Sequence, residues 1–214
     1  DRLFPMSSKL PTETGVFDYI FGVWMQGGWV MFPLLLVTAY IYFQATDMIV
    51  HLNKAKLKDN PLETWLPWIK KPDIGKGYVG DVIRYIVADG YSAKTIVERV
   101  ESVKLKTLPD VNQRIILLTA VVTTTPLMGL LGTVIGMLTT FKGLAGSSGQ
   151  TVDLVASGIS EALITTQTGL MVAIPGYIFI SEIIRRRNQY VAFLAQVENY
   201  AIQEGLEVSN GKVA

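Results

Sequence analysis

Ile115 to Phe141, IILLTAVVTTTPLMGLLGTVIGMLTTF, runs for 27 residues without a charged side chain. At about 1.5 Å per residue a helix of that length outspans the roughly 30 Å of hydrocarbon in a bilayer. Leu154 to Ser181 is 28 residues long and carries one charge, Glu161. Upstream, Tyr19 to Thr46 has none, and the part beginning at Trp29, WVMFPLLLVTAYIYFQAT, is long enough for a further crossing. A soluble domain is about 25% charged, whereas this chain of 214 residues is 17% charged and 50% hydrophobic. The sequence therefore predicts an all-α membrane protein with three transmembrane helices, at 29–50, 115–141 and 154–184.

The flanking charges set the expected orientation. Lys and Arg near the ends of spans are retained on the cytoplasmic side, and residues 51–114 hold twelve of the 19 basic residues. Arg185, Arg186 and Arg187 follow the third span, while the loop between the second and third holds only Lys142. An N-out, C-in layout follows. Residues 1–28 form a periplasmic N-terminus with an interfacial helix, 51–114 a cytoplasmic helical domain, 142–153 a periplasmic loop around Gly146–Gly149, and 185–214 a cytoplasmic C-terminal helix. Tyr19, Trp24 and Trp29 sit where an outer aromatic belt belongs. Within 51–114, Val79, Val82, Ile83, Ile86 and Val87, then Ile96, Val97, Val100 and Val103, recur at helical spacing. Pro67 to Gly80 reads as a turn between helices, and Pro109-Asp110 as a break before the second span. The chain opens on Asp1, so a preceding segment is expected.

Several function classes fall away. With no cysteine, disulfide frameworks, thiol catalysis and cysteine-ligated metals are out. No metal site is expected either, because His51 is the only histidine. A net charge of +1 with scattered basic residues gives no nucleic-acid footprint. Phosphate-binding loops, nucleophile elbows and zinc-protease motifs are absent from the sequence, so an enzyme is not expected and no cofactor is called for.

Glu161 is the most informative residue, since a lone carboxyl in an apolar run is costly and tends to face a bundle interior or a water-filled route. It either lines an ion path or reaches the interface to meet Lys142 or a lipid head group. Thr165 and Thr168 share its helix face, with Thr166 about 100° round from Thr165. On the second span Gly129, Thr133, Gly136 and Thr140 recur at steps of four, three and four on the side of Pro126. Such faces serve close helix packing as readily as conduction. Facing each other, the two stripes would make a wall of hydroxyls with one carboxyl at its end. A proton relay needs a titratable group in mid-membrane, so a second carboxylate is expected from a partner. Pro126 and Pro175 are expected to kink or loosen their helices, and Arg185, Arg186 and Arg187 to anchor on anionic lipid.

Residues 125–143, TPLMGLLGTVIGMLTTFKG, resemble the second-span signature of the ExbB/TolQ/MotA proton-channel family, including the Gly129, Gly132 and Gly136 positions. Residues 157–178, SGISEALITTQTGLMVAIPGYI, resemble its third-span signature. The likeness, nearest to ExbB, implies a pentamer in the bacterial inner membrane around a pore that holds a dimeric partner like ExbD or TolR. That partner carries the membrane aspartate, and a TonB-like periplasmic protein receives the work. By match to the motifs, Thr133 and Thr166 take the place of the pore threonines and Glu161 that of the third-span glutamate. One departure is Thr165-Thr166 where ExbB-like chains read Ala-Thr. It resembles sodium-using flagellar stators, so H+ is the expected ion and Na+ the rival. A TolQ-like role in envelope integrity and division, a MotA-like stator and a non-conducting scaffold remain the alternatives.

Overall fold

A computed structural model describes residues 15–53, 62–88, 90–146, 151–209 and 211. It is all-helical, with no strand among the described residues. The helices are α1 (Gly15–Gln26), α2 (Met31–Asn53), α3 (Leu62–Lys70), α4 (Gly77–Val87), α5 (Ala93–Gly146) and α6 (Thr151–Ser209), with a single 3-10 turn at Pro72–Ile74. Three of them, α2, α5 and α6, are long and apolar enough to cross a membrane. At 54 and 59 residues, α5 and α6 measure about 80 and 90 Å, far beyond one hydrocarbon layer.

The chain forms two compact units, residues 1–39 with 122–174, and residues 40–121 with 175–214. The second has a conventional core. Val79, Val82, Ile83, Ile86 and Val87 of α4 are all buried, and they meet Ile96 and Val100 of α5. From α6 come Tyr190, Phe193, Leu194, Val197 and Ala201, the i, i+3, i+4, i+7, i+11 stripe of an amphipathic helix. Trp65 of α3 closes the cluster, edge-on to Phe193 at 5.4 Å between centroids. Val97, expected with this face, is 44% exposed, because one residue after Ile96 is a 100° turn away from the core.

Polar contacts pin the same unit. The Tyr91 hydroxyl donates to the Ile69 carbonyl at 2.8 Å, one of the last carbonyls of α3, which a helix leaves without an internal partner. Lys70 meets Glu204 at 3.1 Å; the bond to Glu204 raises the Lys70 pKa. The Tyr78 and Tyr190 hydroxyls are 3.0 Å apart, and burial, then the Tyr78 bond, push Tyr190 far above the ordinary phenol value. Tyr91→Phe should cost about 1 kcal/mol, the net worth of one intramolecular hydrogen bond, read as a lowered unfolding midpoint of the full chain in detergent. An unchanged midpoint would show that water serves Ile69 equally well.

Three sequence expectations change here. Pro109 does not break the chain, since α5 runs without interruption from Ala93 to Gly146. A proline inside a helix removes one bond and crowds the carbonyl four residues back. Val100 and Val111, buried to either side, hold the helix through that defect. Likewise α3 continues past Pro67 to Lys70, held by buried Trp65 and Ile69, so the turn shrinks to residues 71–76. The loop expected at 142–153 is mostly helix, with α5 reaching Gly146 and α6 starting at Thr151; residues 147–150 lie outside the described residues. Neither Pro126 nor Pro175 ends its helix. The tail after Arg185 does continue the third span, to Ser209. Of the aromatic anchors, Trp29 is exposed and Trp24 packs edge-on to Phe32 at 5.4 Å; the Tyr19 side chain lies outside those described.

Candidate ion path

The two small-residue stripes meet face to face in the first unit. A methyl group on Gly129 would lie 3.0 Å from both the Thr165 carbonyl oxygen and the Thr166 Cα, and one on Gly169 3.0 Å from the Thr125 carbonyl. At Gly132 the obstacle is the Thr165 side chain, 2.5 Å from the added carbon, and at Gly136 the Gly158 carbonyl at 3.3 Å. Thr140 fills the space beside Gly158. The contact thus joins Thr125, Gly129, Gly132, Gly136 and Thr140 of α5 to Gly158, Ala162, Thr165 and Gly169 of α6. Backbones come this close only where side chains are small.

Within one chain, then, this seam is closed rather than a channel wall. Thr165 is 1% exposed and donates to the Ala162 carbonyl at 2.8 Å. Thr140, 5% exposed, donates to Gly136 at 2.9 Å. Thr168 bonds back to Ile164 at 2.8 Å. These hydroxyls satisfy themselves on their own helix, as Ser and Thr commonly do.

Thr133 and Thr166 stand differently. Each lies at the edge of the seam and is only partly buried. Thr166 donates across the helices to the Gly129 carbonyl at 3.1 Å, the same carbonyl to which the Thr133 N–H is directed by helix geometry. The Thr133 hydroxyl donates to Leu130 at 2.6 Å. A hydroxyl that donates to a carbonyl keeps its oxygen lone pairs available as acceptors. The rim therefore offers two hydroxyl oxygens, Thr133 held by the Leu130 carbonyl and Thr166 by that of Gly129, to a cation or to water.

Glu161 is elsewhere. It lies 140° round α6 from Thr166 by helix geometry, against the turn between α1 and α2. Gly28, with φ of +68°, sits directly under the Glu161 carboxylate, where any side chain would collide with it. Gly27 beside it packs on Met31 and Ile164. The turn is closed by the Gly27 N–H to the Trp24 carbonyl, 3.1 Å. Gly28 is required twice over, since that positive φ costs a side-chain-bearing residue about 1–2 kcal/mol and the space is already taken.

At the far end of the third apolar run the three arginines do not act alike. Glu182 binds Arg185 through both of its oxygens, at 2.9 and 3.0 Å, and also takes the Arg186 Nε–H at 2.8 Å. Arg186 reaches Asn53 at 3.0 Å. Among the described residues Arg187 has only amide acceptors, Asn112 at 3.1 Å and Asn188 at 3.0 Å. Beside them Arg114 is paired with Asp47 and Asp110, each at 3.2 Å. No group of three or more metal-ligating side chains occurs among the described residues.

Sequence reasoning placed the α5 half of the seam but missed Gly158, Ala162 and Gly169, whose steps of four and seven keep to one helix face, as the steps of three and four between Gly129, Gly132 and Gly136 do. That matching periodicity was the available signal. The Gly27-Gly28 turn gave none that tied it to Glu161.

Together, three apolar spanning helices, a closed small-residue seam and a rim of hydroxyls define a helical membrane protein of the channel class. Residues 76–196, more than half of the chain, match the MotA/TolQ/ExbB proton channel family, and the chain belongs to that family. It is 43% identical over 65 residues to the biopolymer transport protein exbB1 of Vibrio cholerae, covering 30% of this chain and 28% of the relative. The Tol-Pal system protein TolQ of Pseudomonas aeruginosa is 49% identical over 61 residues, 28% of this chain and 26% of the relative. The biopolymer transport protein ExbB of Salmonella typhimurium is 39% identical over 72 residues, 34% and 30% respectively. The matched segments thus span less than a third of each relative's length.

Proposed function

We propose that this chain is the channel subunit of an ion-driven motor of the ExbB kind, energising TonB-dependent transport across the outer membrane from the bacterial inner membrane. The observation that carries the reading is the rim of Thr133 and Thr166 beside a seam with no room for an ion. A path must then run along the rim, between this subunit and something else. A homo-oligomer, with five copies as the family suggests, supplies a ring of such rims. In the third apolar run Glu161 is the only carboxylate, and it faces the Gly27-Gly28 turn. The mid-membrane carboxylate of a proton relay is therefore assigned to an ExbD/TolR-like dimer held in the ring. A TonB-like periplasmic protein receives the work, and the N-out, C-in layout follows from the basic residues of 51–114 and 185–187.

Proton is the coupling ion in this reading. Na+ would need several oxygen ligands at once, and the extra threonine that suggested it, Thr165, is sealed in the seam. The test uses the subunit co-expressed with its partner in proteoliposomes, under a proton or a sodium gradient at fixed membrane potential. Flux that follows the proton gradient alone is expected. Flux that follows sodium would reassign the ion, and none under either gradient would leave a non-conducting scaffold. In cells, deletion should block TonB-dependent uptake; a leaking outer membrane with normal uptake would assign a TolQ-like role instead.

A further inference from the structure

The basic cluster after the third apolar run divides by charge. Arg185 and Arg186 share the Glu182 carboxylate, so two cations and one anion leave a single net charge spread over two guanidiniums, and Arg185 is turned toward Glu182 by both of its bonds. Arg114 is offset by two carboxylates. Arg187 has no acid partner among the described residues, although its Nε and Nη1 are held by the Asn112 and Asn188 carbonyl oxygens. It is partly buried, where an uncompensated charge is costlier than in open water.

The amides matter for what they leave over. Each asparagine has one acceptor and two donor hydrogens, and in each the acceptor is taken by Arg187. The Nδ2 groups of Asn112 and Asn188 remain, together with Nη2 of Arg187, which lies between the two edges of the guanidinium that the amides occupy. The set is cationic and rich in donors, the complement of a phosphate oxygen cluster. It lies six residues beyond Ser181, the end of the third apolar run, a distance of about 9 Å along a helix, on the side where the membrane interface follows that run.

We propose that Arg187, Asn112 and Asn188 form a binding site for the phosphate of an anionic phospholipid, and that Arg185 and Arg186 do not. Lipid anchoring then belongs to one arginine of the three, with two amides that orient it. The proposal rests on α5 and α6 crossing a membrane and not on which ion is coupled, so a failed flux experiment leaves it standing.

The test measures thermal unfolding of the full chain, with its co-expressed partner, in nanodiscs of phosphatidylcholine alone or with added phosphatidylglycerol. The midpoint should rise with phosphatidylglycerol content. Arg187→Gln should weaken the apparent affinity about tenfold, the loss of a charge-assisted contact, with Asn112→Leu intermediate and Arg185→Gln close to wild type. If Arg187→Gln does not fold, Asn188→Leu, at an exposed position, carries the same prediction. Equal losses for Arg185→Gln and Arg187→Gln would overturn the site in favour of a diffuse basic surface. A rise of equal size on adding inorganic phosphate to phosphatidylcholine nanodiscs would overturn the lipid as its source.

Discussion

Gly129→Val should abolish assembly of the subunit into a folded membrane complex. A methyl group there already meets the Thr165 carbonyl and the Thr166 Cα at 3.0 Å, and both obstacles are backbone, which has no rotamer to yield. Two further carbons force α5 and α6 apart. The separation undoes the neighbouring contacts at Gly132, Gly136 and Gly169 and stretches the Thr166 bond to Gly129. Overpacking of this kind costs about 3 kcal/mol or more where nothing can relax, a large part of a typical folding free energy. In size-exclusion chromatography with the partner, the variant should elute as aggregate or fail to accumulate. A normally assembled Gly129→Val complex would show that the seam opens at no cost, and the packing argument would fall.

Thr166→Val should do the reverse, leaving assembly intact and stopping ion-driven work. Valine matches threonine in shape, and the hydrogen bond it loses, 3.1 Å to Gly129, is of a type worth about 0.6 kcal/mol on average between membrane helices. That is too little to unfold the protein. What disappears is the hydroxyl that bridges the two helices at the rim. Proteoliposome flux and TonB-dependent uptake should both drop to the level of a partner-less control, with elution unchanged. Full uptake in an assembled Thr166→Val complex would remove the rim from the ion path. Thr165→Val gives the contrast: its hydroxyl is buried and bonded to its own helix, so flux should persist.

The spans were legible because burial in lipid imposes a simple rule, the absence of charge over some twenty residues. The family was legible in the two signatures around Gly129 and Glu161. Helix continuity was not. Pro109 reads as a break from local propensity, and only the packing of Val100 and Val111 overrides it. Glu161, Thr165 and Thr168 lie on one uninterrupted helix, α6. Their use could not be read from α6 alone, because Thr165 faces Gly132 of α5 while Glu161 faces Gly28, residues distant in sequence. A carboxylate over a glycine turn leaves no periodic trace.

The uninterrupted helices carry a mechanical consequence. Within the second unit α5 runs for 29 residues, from Ala93 to Val121, about 43 Å, and a tilt of about 5° over that length moves its far end by about 4 Å, more than the rise of two residues. Pro109 lies inside this stretch and removes a single bond without ending α5. A small lean of this stretch is therefore enough to exchange side-chain neighbours at its end. Leverage of that sort needs no loop to move; stiffness alone supplies the gain.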